Sequence, residues 1–235
     1  MRVRHRTAFT LPEILVVFGI ISLLMSLLFP TLSAARRRTA QVTCLANMQQ
    51  LVSAFHVYLA DNRGAFPRPA QNWVRLPEDW IYFQPGRRSD DGAVTRYLGK
   101  RLNEDALRCP SDDLTKHRTW KSGPIWNVHE QQFLYSYAVN EFICRTYPQR
   151  TLKMTDIRSP SEKILLVDEA GTTVDDGCWA FADQFGKGWN LLSIRHEMRR
   201  GELEKNFKAG NGNVAFADGH AGVIARIDSF NARYY

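Results

Sequence analysis

His196, Asp218 and His220 offer two imidazoles and a carboxylate, a donor set able to hold a borderline metal such as zinc. A plainer reading competes with it. Asp218-Gly219 is first of all a turn signal, and His220 beside it reads as an exposed flank of that turn. Cys44, Cys109, Cys144 and Cys178 form an even set with three ways of pairing into two disulfides. Buried free thiols are the alternative, particularly for Cys44, which falls in a helical stretch. No C-x₂₋₄-C pair occurs, which argues against a Cys₄ zinc site. The nucleophile elbow and the P-loop are missing, and His129-Glu130 and His196-Glu197 each lack the second His of H-E-x-x-H. The chain therefore reads as a non-enzyme without a cofactor, with His196, Asp218 and His220 the candidates if a metal is held.

Short strands frame two of these residues, Asp218 and His220. Segments 133–139, 164–167, 213–217 and 222–227 are rich in β-branched or aromatic residues and read as strands. Asp218-Gly219 joins the last two, and a type I′ turn with positive φ at both central residues is expected there. Residues 72–85 hold Trp73, Trp80, Tyr82 and Phe83 and read as an aromatic-packed loop, and 94–102 as a short helix. The chain before residue 60 behaves differently. From Ser33 to Ala60 it lacks Gly and Pro, and Leu45, Met48, Val52, Phe55 and Leu59 recur at three- and four-residue steps. This is an amphipathic helix, stopped by Asp61-Asn62-Arg63-Gly64.

Upstream, Phe9 to Leu32 is one apolar run behind a leader that holds Arg2, Arg4 and Arg6, and it carries a single acid, Glu13. Ile14 to Leu32 spans about 28 Å as a helix, enough for a bilayer and longer than the apolar core of about 7–15 residues in a secretory signal peptide. A carboxylate in lipid costs about 2.5–3.5 kcal/mol at a helix centre, so Glu13 calls for a partner or a role.

The run Thr7-Ala8-Phe9-Thr10-Leu11-Pro12-Glu13-Ile14-Leu15-Val16-Val17 resembles the N-terminus of type IV prepilins and type II secretion pseudopilins. Those begin with a small residue before the cut, Phe after it, an acid four positions on and a hydrophobic helix. The resemblance implies cleavage between Ala8 and Phe9 by a prepilin peptidase and N-methylation of Phe9. It further implies that Glu13 serves assembly, by pairing with the N-terminal amine of a neighbouring subunit. Opposite charges attract far more strongly in a low-dielectric layer than in water. Ala8 replaces the usual Gly, and Pro12 the usual aliphatic residue. In the cleaved chain Pro12 is the fourth residue, where a backbone N–H lacks an intrahelical partner anyway.

Further along, Cys44-Leu45-Ala46-Asn47-Met48-Gln49-Gln50, Cys109-Pro110-Ser111-Asp112, Tyr135-Ser136-Tyr137-Ala138-Val139-Asn140, Ser159-Pro160-Ser161-Glu162-Lys163 and Asn213-Val214-Ala215-Phe216-Ala217-Asp218-Gly219-His220 occur in that order. Together they resemble a large bacterial group of prepilin-like proteins with a C-terminal processing-associated motif: His, nine residues, then Asp-Gly. If His196 opens the motif here, 21 residues intervene, as in a loop insertion. Major pseudopilins bind Ca²⁺ in a C-terminal loop, which would make Asp168, Glu169, Asp175, Asp176 and Asp183 a calcium site. Otherwise these acids read as a solvated loop.

The resulting expectation is an α+β, pilin-like chain: a leader over 1–8, a helix over 9–60 that is transmembrane over 9–32, and an exported head over 61–235. The outer half of the helix, about 78 Å long in all, would lie on a small antiparallel sheet. The protein would be a structural subunit of a type II secretion pseudopilus or type IV pilus. Its partners would be the prepilin peptidase, other pilin or pseudopilin subunits, the inner-membrane assembly platform and membrane lipid. It would cross the inner membrane once, with the leader cytoplasmic and the head periplasmic. The formal charge of +7 falls to +4 once the leader's three arginines are removed, an excess too mild to demand nucleic acid. Arg36-Arg37-Arg38 reads as a cluster snorkelling to lipid head groups. The rival reading is a monomeric anchored module whose exported head binds a ligand or metal.

Overall fold

A computed structural model describes residues 11–71, 76–84, 86–99, 104–122, 129–144, 151–180, 190–198 and 209–234. Helix α1 (Leu11–Asp61) is continuous through Pro30. Over residues 11–38 every position is exposed, including Leu15, Phe18, Leu23, Leu27 and Phe29. This part of the helix is long and apolar enough to cross a membrane. In water such a surface is an aggregation liability; in lipid it is the solvated face.

Residues 40–235 form a separate compact unit, the head, which includes the second half of α1. There one stripe of α1 is buried: Cys44, Asn47, Met48, Leu51, Val52, Phe55 and Leu59, the three- and four-residue spacing of an amphipathic helix. The stripe starts at Cys44, while Leu45 is only half-buried. The helix stops as its sequence indicates. Arg63 and Gly64 both take positive φ (55° and 77°), and the Gly64 N–H turns back to the Leu59 carbonyl at 2.7 Å.

The stripe packs on a five-stranded sheet built from β3 (Tyr137–Asn140), β4 (Ile164–Asp168), β5 (Cys178–Trp179), β6 (Asn211–Phe216) and β7 (Ala221–Ala225), in the order β5-β3-β4-β6-β7. Two further strands, β1 (Thr119–Ser122) and β2 (His129–Gln132), pair apart from it. The sheet is mixed, which corrects the antiparallel expectation: β5 runs parallel to β3, with Val139 opposite Cys178. The chain between them is long enough for that crossover. The helix expected over 94–102 is a single 3₁₀ turn, Thr95–Leu98, with residues 100–103 outside the described set. Trp80 belongs to the core: it lies 5.9 Å from the Phe55 ring and donates from Nε1 to the Gly177 carbonyl at 2.9 Å.

Strand β4 is buried at every position, because both faces of the sheet are covered. Its register against β6 slips between Ile164 and Leu166, a bulge that places Leu165 and Leu166 together in the cluster facing α1. Ile164 and Val167 belong to a second cluster, with Trp179, Leu192 and Val214. From Leu166 onward the two-residue period of a strand turns Asp168 toward the helix side as well.

The β6–β7 turn departs from the expected type I′. The Gly219 N–H bonds to the Phe216 carbonyl at 3.0 Å, and the Phe216 N–H to the His220 carbonyl at 2.8 Å. Of its residues only Gly219 has positive φ, at 106°. This is the three-residue pattern, a turn followed by one left-handed glycine. A Cβ on Gly219 would lie 3.2 Å from Cε1 of His56, whose Nε2 contacts the Ala217 carbonyl at 2.8 Å. Gly219→Val is therefore expected to cost about 1–2 kcal/mol in backbone strain alone. Thermal melts of the detergent-solubilised chain should fall by about 2–8 °C.

Candidate functional site

Four side chains remote in sequence meet under the sheet. Cys44, Cys109, Asp168 and His196 are all buried, and one donor atom from each lies within 4.8 Å of the other three. Cys44 Sγ is 3.6 Å from Asp168 Oδ2, Cys109 Sγ 3.2 Å from His196 Nε2, and His196 Nε2 3.7 Å from Asp168 Oδ2.

Each arrives by a separate local device. Cys44 occupies the first fully buried position of the α1 stripe. Asp168 ends β4 with the phase set by the bulge, opposite Tyr137 of β3. Cys109 sits at the head of a turn, Cys109-Pro110-Ser111-Asp112, closed by the Asp112 N–H to the Cys109 carbonyl at 2.9 Å. Pro110 pre-sets φ for the second position of that turn. Asn47 of α1 holds the preceding segment by donating from Nδ2 to the Asp105 and Arg108 carbonyls at 3.2 and 3.1 Å. His196 follows Ser193, whose N–H bonds to the Asp168 carbonyl at 2.8 Å.

A polar layer backs these four. Ser111 Oγ lies 3.4 Å from His196 Nδ1, and Tyr137 Oη donates toward Cys44 Sγ at 3.4 Å. Arg195 reaches Asp168 Oδ1 at 3.4 Å, contacts Asp112 Oδ1 and donates to the Glu169 carbonyl. Asp112 Oδ2 accepts from Ser136 Oγ at 2.5 Å and from His117 Nε2 at 2.8 Å, while His117 Nδ1 faces the Phe133 carbonyl at 2.6 Å. Both ring nitrogens of His117 thus meet oxygens that accept.

Burial opposes charge throughout this layer, and the pattern of partners decides where charge survives. At Asp112 burial raises the carboxyl, but the hydrogen bond from His117 and the charge of Arg195 outweigh it and hold the group well below the usual carboxylate range. Burial pushes Asp168 and Cys109 well above their ordinary values. At Cys44 burial is outweighed by hydrogen bonds from Cys109, His196 and Tyr137, so that thiol is lowered.

The residues singled out in the sequence fare differently. Ala8 and Phe9 lie outside the described residues, and Glu13 is in the first turn of α1. The structure does not bring His196 together with Asp218 and His220. His196 is in the buried cluster, whereas Asp218 and His220 pair with each other at 2.6 Å on the exposed β6–β7 turn. The expectation of a solvated acidic loop is corrected. Asp168, Glu169 and Asp176 are buried, and Asp175 is paired with Arg118 at 3.6 Å. Glu169 Oε1 accepts from Asn190 and Thr173, and Asp176 Oδ1 caps the Cys178 N–H; Asp183 lies outside the described residues. All four cysteines are free and buried. Sequence spacing missed Cys44, Cys109 and Asp168 as a group because no two of them share an element. No family model, curated protein or solved structure matches the chain.

Proposed function

We propose that the protein is a membrane-anchored structural subunit of the pilin or pseudopilin kind. On this reading it is cut between Ala8 and Phe9 by a prepilin peptidase, methylated on Phe9 and built into a type II secretion pseudopilus or type IV pilus. The observation that carries the reading is the division of α1. One uninterrupted helix has an all-round apolar surface over its first part, with Glu13 in its first turn, and a one-sided buried stripe over its second. A lone lipid anchor needs only the first property, and a soluble core helix only the second. A filament subunit uses both, the apolar part to bundle with its neighbours and the striped part to carry a folded head. The anchor spans the inner membrane with the leader cytoplasmic and the head outside, its partners being other subunits, the assembly platform and lipid.

The decisive measurement is mass spectrometry of the mature N-terminus. It is expected to begin at Phe9 and to carry one methyl group. An intact Met1, or a terminus near Arg36 produced by an ordinary signal peptidase at Ser33-Ala34-Ala35, would remove the proposal.

A further inference from the structure

We infer that Cys44, Cys109, Asp168 and His196 are the four ligands of a structural Zn²⁺ ion that ties helix α1 to the sheet. This goes beyond the filament reading and does not rest on it. The donor set is the first ground. Two thiolates and an imidazole select a borderline-soft ion over Ca²⁺ or Mg²⁺, and a single carboxylate is compatible with zinc.

The geometry is the second ground. Ligands about 2.0–2.3 Å from a tetrahedral zinc lie about 3.3–3.8 Å from one another. The separations here are 3.2 Å for Cys109 to His196, 3.6 Å for Cys44 to Asp168 and 3.7 Å for His196 to Asp168. Three donor pairs thus already stand close to the edges of that tetrahedron. A disulfide between Cys44 and Cys109 would use only two of the four groups and would leave His196 and Asp168 converging on nothing.

The surroundings are the third ground. A metal-ligating imidazole is ordinarily fixed through its other nitrogen, and Ser111 Oγ stands at Nδ1 of His196, which leaves Nε2 facing the cluster. Two thiolates and one carboxylate around a dication leave one negative charge. The guanidinium of Arg195 stands at the second oxygen of Asp168 and offsets part of that charge, being shared with Asp112. Tyr137 donates to the sulfur of Cys44, as an outer partner of a thiolate does. Four protein donors fill the coordination shell and all four residues are buried, so no position is open to substrate. The ion is accordingly structural. On binding, the protons of the ligands pass to solvent as the metal–ligand bonds form.

The test uses the full chain in detergent, reduced and stripped of metal, then titrated with Zn²⁺ or Co²⁺. Elemental analysis is expected to give one Zn²⁺ per chain, and Zn²⁺ should raise the melting temperature by several degrees. Co²⁺ should show the strong visible bands of a tetrahedral site together with thiolate-to-cobalt charge transfer. Cys44→Ser or Cys109→Ser should reduce that charge transfer to about half, one of two sulfurs being lost. Cys144→Ser, which removes a buried thiol outside the cluster, should leave it unchanged. If a ligand variant fails to fold, the parent's Co²⁺ spectrum decides alone, since tetrahedral bands with thiolate charge transfer are required of it. The inference is overturned by any of three results: no stoichiometric binding at micromolar free Zn²⁺, a pale six-coordinate Co²⁺ spectrum, or a Cys44–Cys109 disulfide in protein isolated from its host with thiols blocked. None of these bears on methylation of Phe9, so the two proposals fail separately.

Discussion

Arg195→Met is expected to unfold the head at temperatures where the parent is fully native. Arg195 is 9% exposed and stands between two carboxylates, Asp112 at 5% and Asp168 at 0%. It also donates to the Glu169 carbonyl and, through Nε, to Ser193 Oγ at 2.7 Å. Removing one member of a buried charge network leaves the others uncompensated, which costs about 3–5 kcal/mol. For a domain of this size the melting temperature should drop by about 6–20 °C. Arg195→Lys should recover only part of it, because an ammonium cannot span both carboxylates and a carbonyl as the planar fork does. Acid titration separates this account from a simple packing defect. Asp112 is held below its ordinary value in the folded protein, so the native state binds fewer protons there than the unfolded chain. Its contribution to stability is therefore complete above about pH 4 and is lost as pH falls toward the folded value. In Arg195→Met, Asp112 loses one of the groups that hold it down, and the acid limb of the stability curve should flatten. A variant that melts within about 2 °C of the parent would show that the network does not need the guanidinium.

On the proposed filament reading, Glu13→Ala is expected to abolish co-assembly while leaving membrane insertion and cleavage at Ala8-Phe9 intact. The change makes the apolar segment more apolar, so insertion becomes easier by about 2.5–3.5 kcal/mol at most. What is lost is the one acidic group in a helix surface otherwise made for lipid or for like helices. Within a bundle of such helices the attraction between that acid and a neighbour's terminal amine acts in a low dielectric, where nothing else of similar strength sets the stagger. Cross-linked multimers in membrane extracts should disappear in Glu13→Ala and return at least in part in Glu13→Asp. Parent-level multimers in Glu13→Ala would leave the acid without an assembly role. A parent that sediments only as a monomer would instead favour the anchored-module reading.

Much of the scaffold could be read directly from the chain. The stripe ending at Leu59 and its stop at Gly64 follow from local rules, as do β4, β6 and β7, because period and turn chemistry act over a few residues. The sheet's parallel edge could not be read, since β5 is two residues long and leaves no periodic trace. The Asp218-Gly219 turn was legible as a turn but not in type: the choice of a type I or type I′ path depends on how many residues the strands leave between them. The candidate site was the least legible. Cys44 looks like one more apolar position on a helix, Cys109 like a loop residue before a proline, and Asp168 like the first acid of an exposed loop. Their association depends on packing between α1, the 109–112 turn and β4. His196 was singled out for a partnership with Asp218 and His220 that the fold does not make.

The bulge in β4 implies an uneven tolerance to sequence change. At Leu165 several apolar residues would fill the same space with small cost, so substitution there is cheap. Ile164 stands opposite Phe216 and Leu166 opposite Ala215, so Leu165 is the residue surplus to the ladder. Its loss would leave both pairs, and the face of Asp168, unchanged. Flattening the bulge with the residue kept is another matter: Leu165 would take Ala215, and every later residue would turn to the opposite face. Asp168 would then face Val167's present neighbours, Trp179 and Leu192, and its carboxylate would leave Cys44. The cluster is thus guarded by where pairing resumes and not by the identity of residue 165. Related chains that keep it should vary freely at 165, or lack it, yet keep the pairing of 166 with 215.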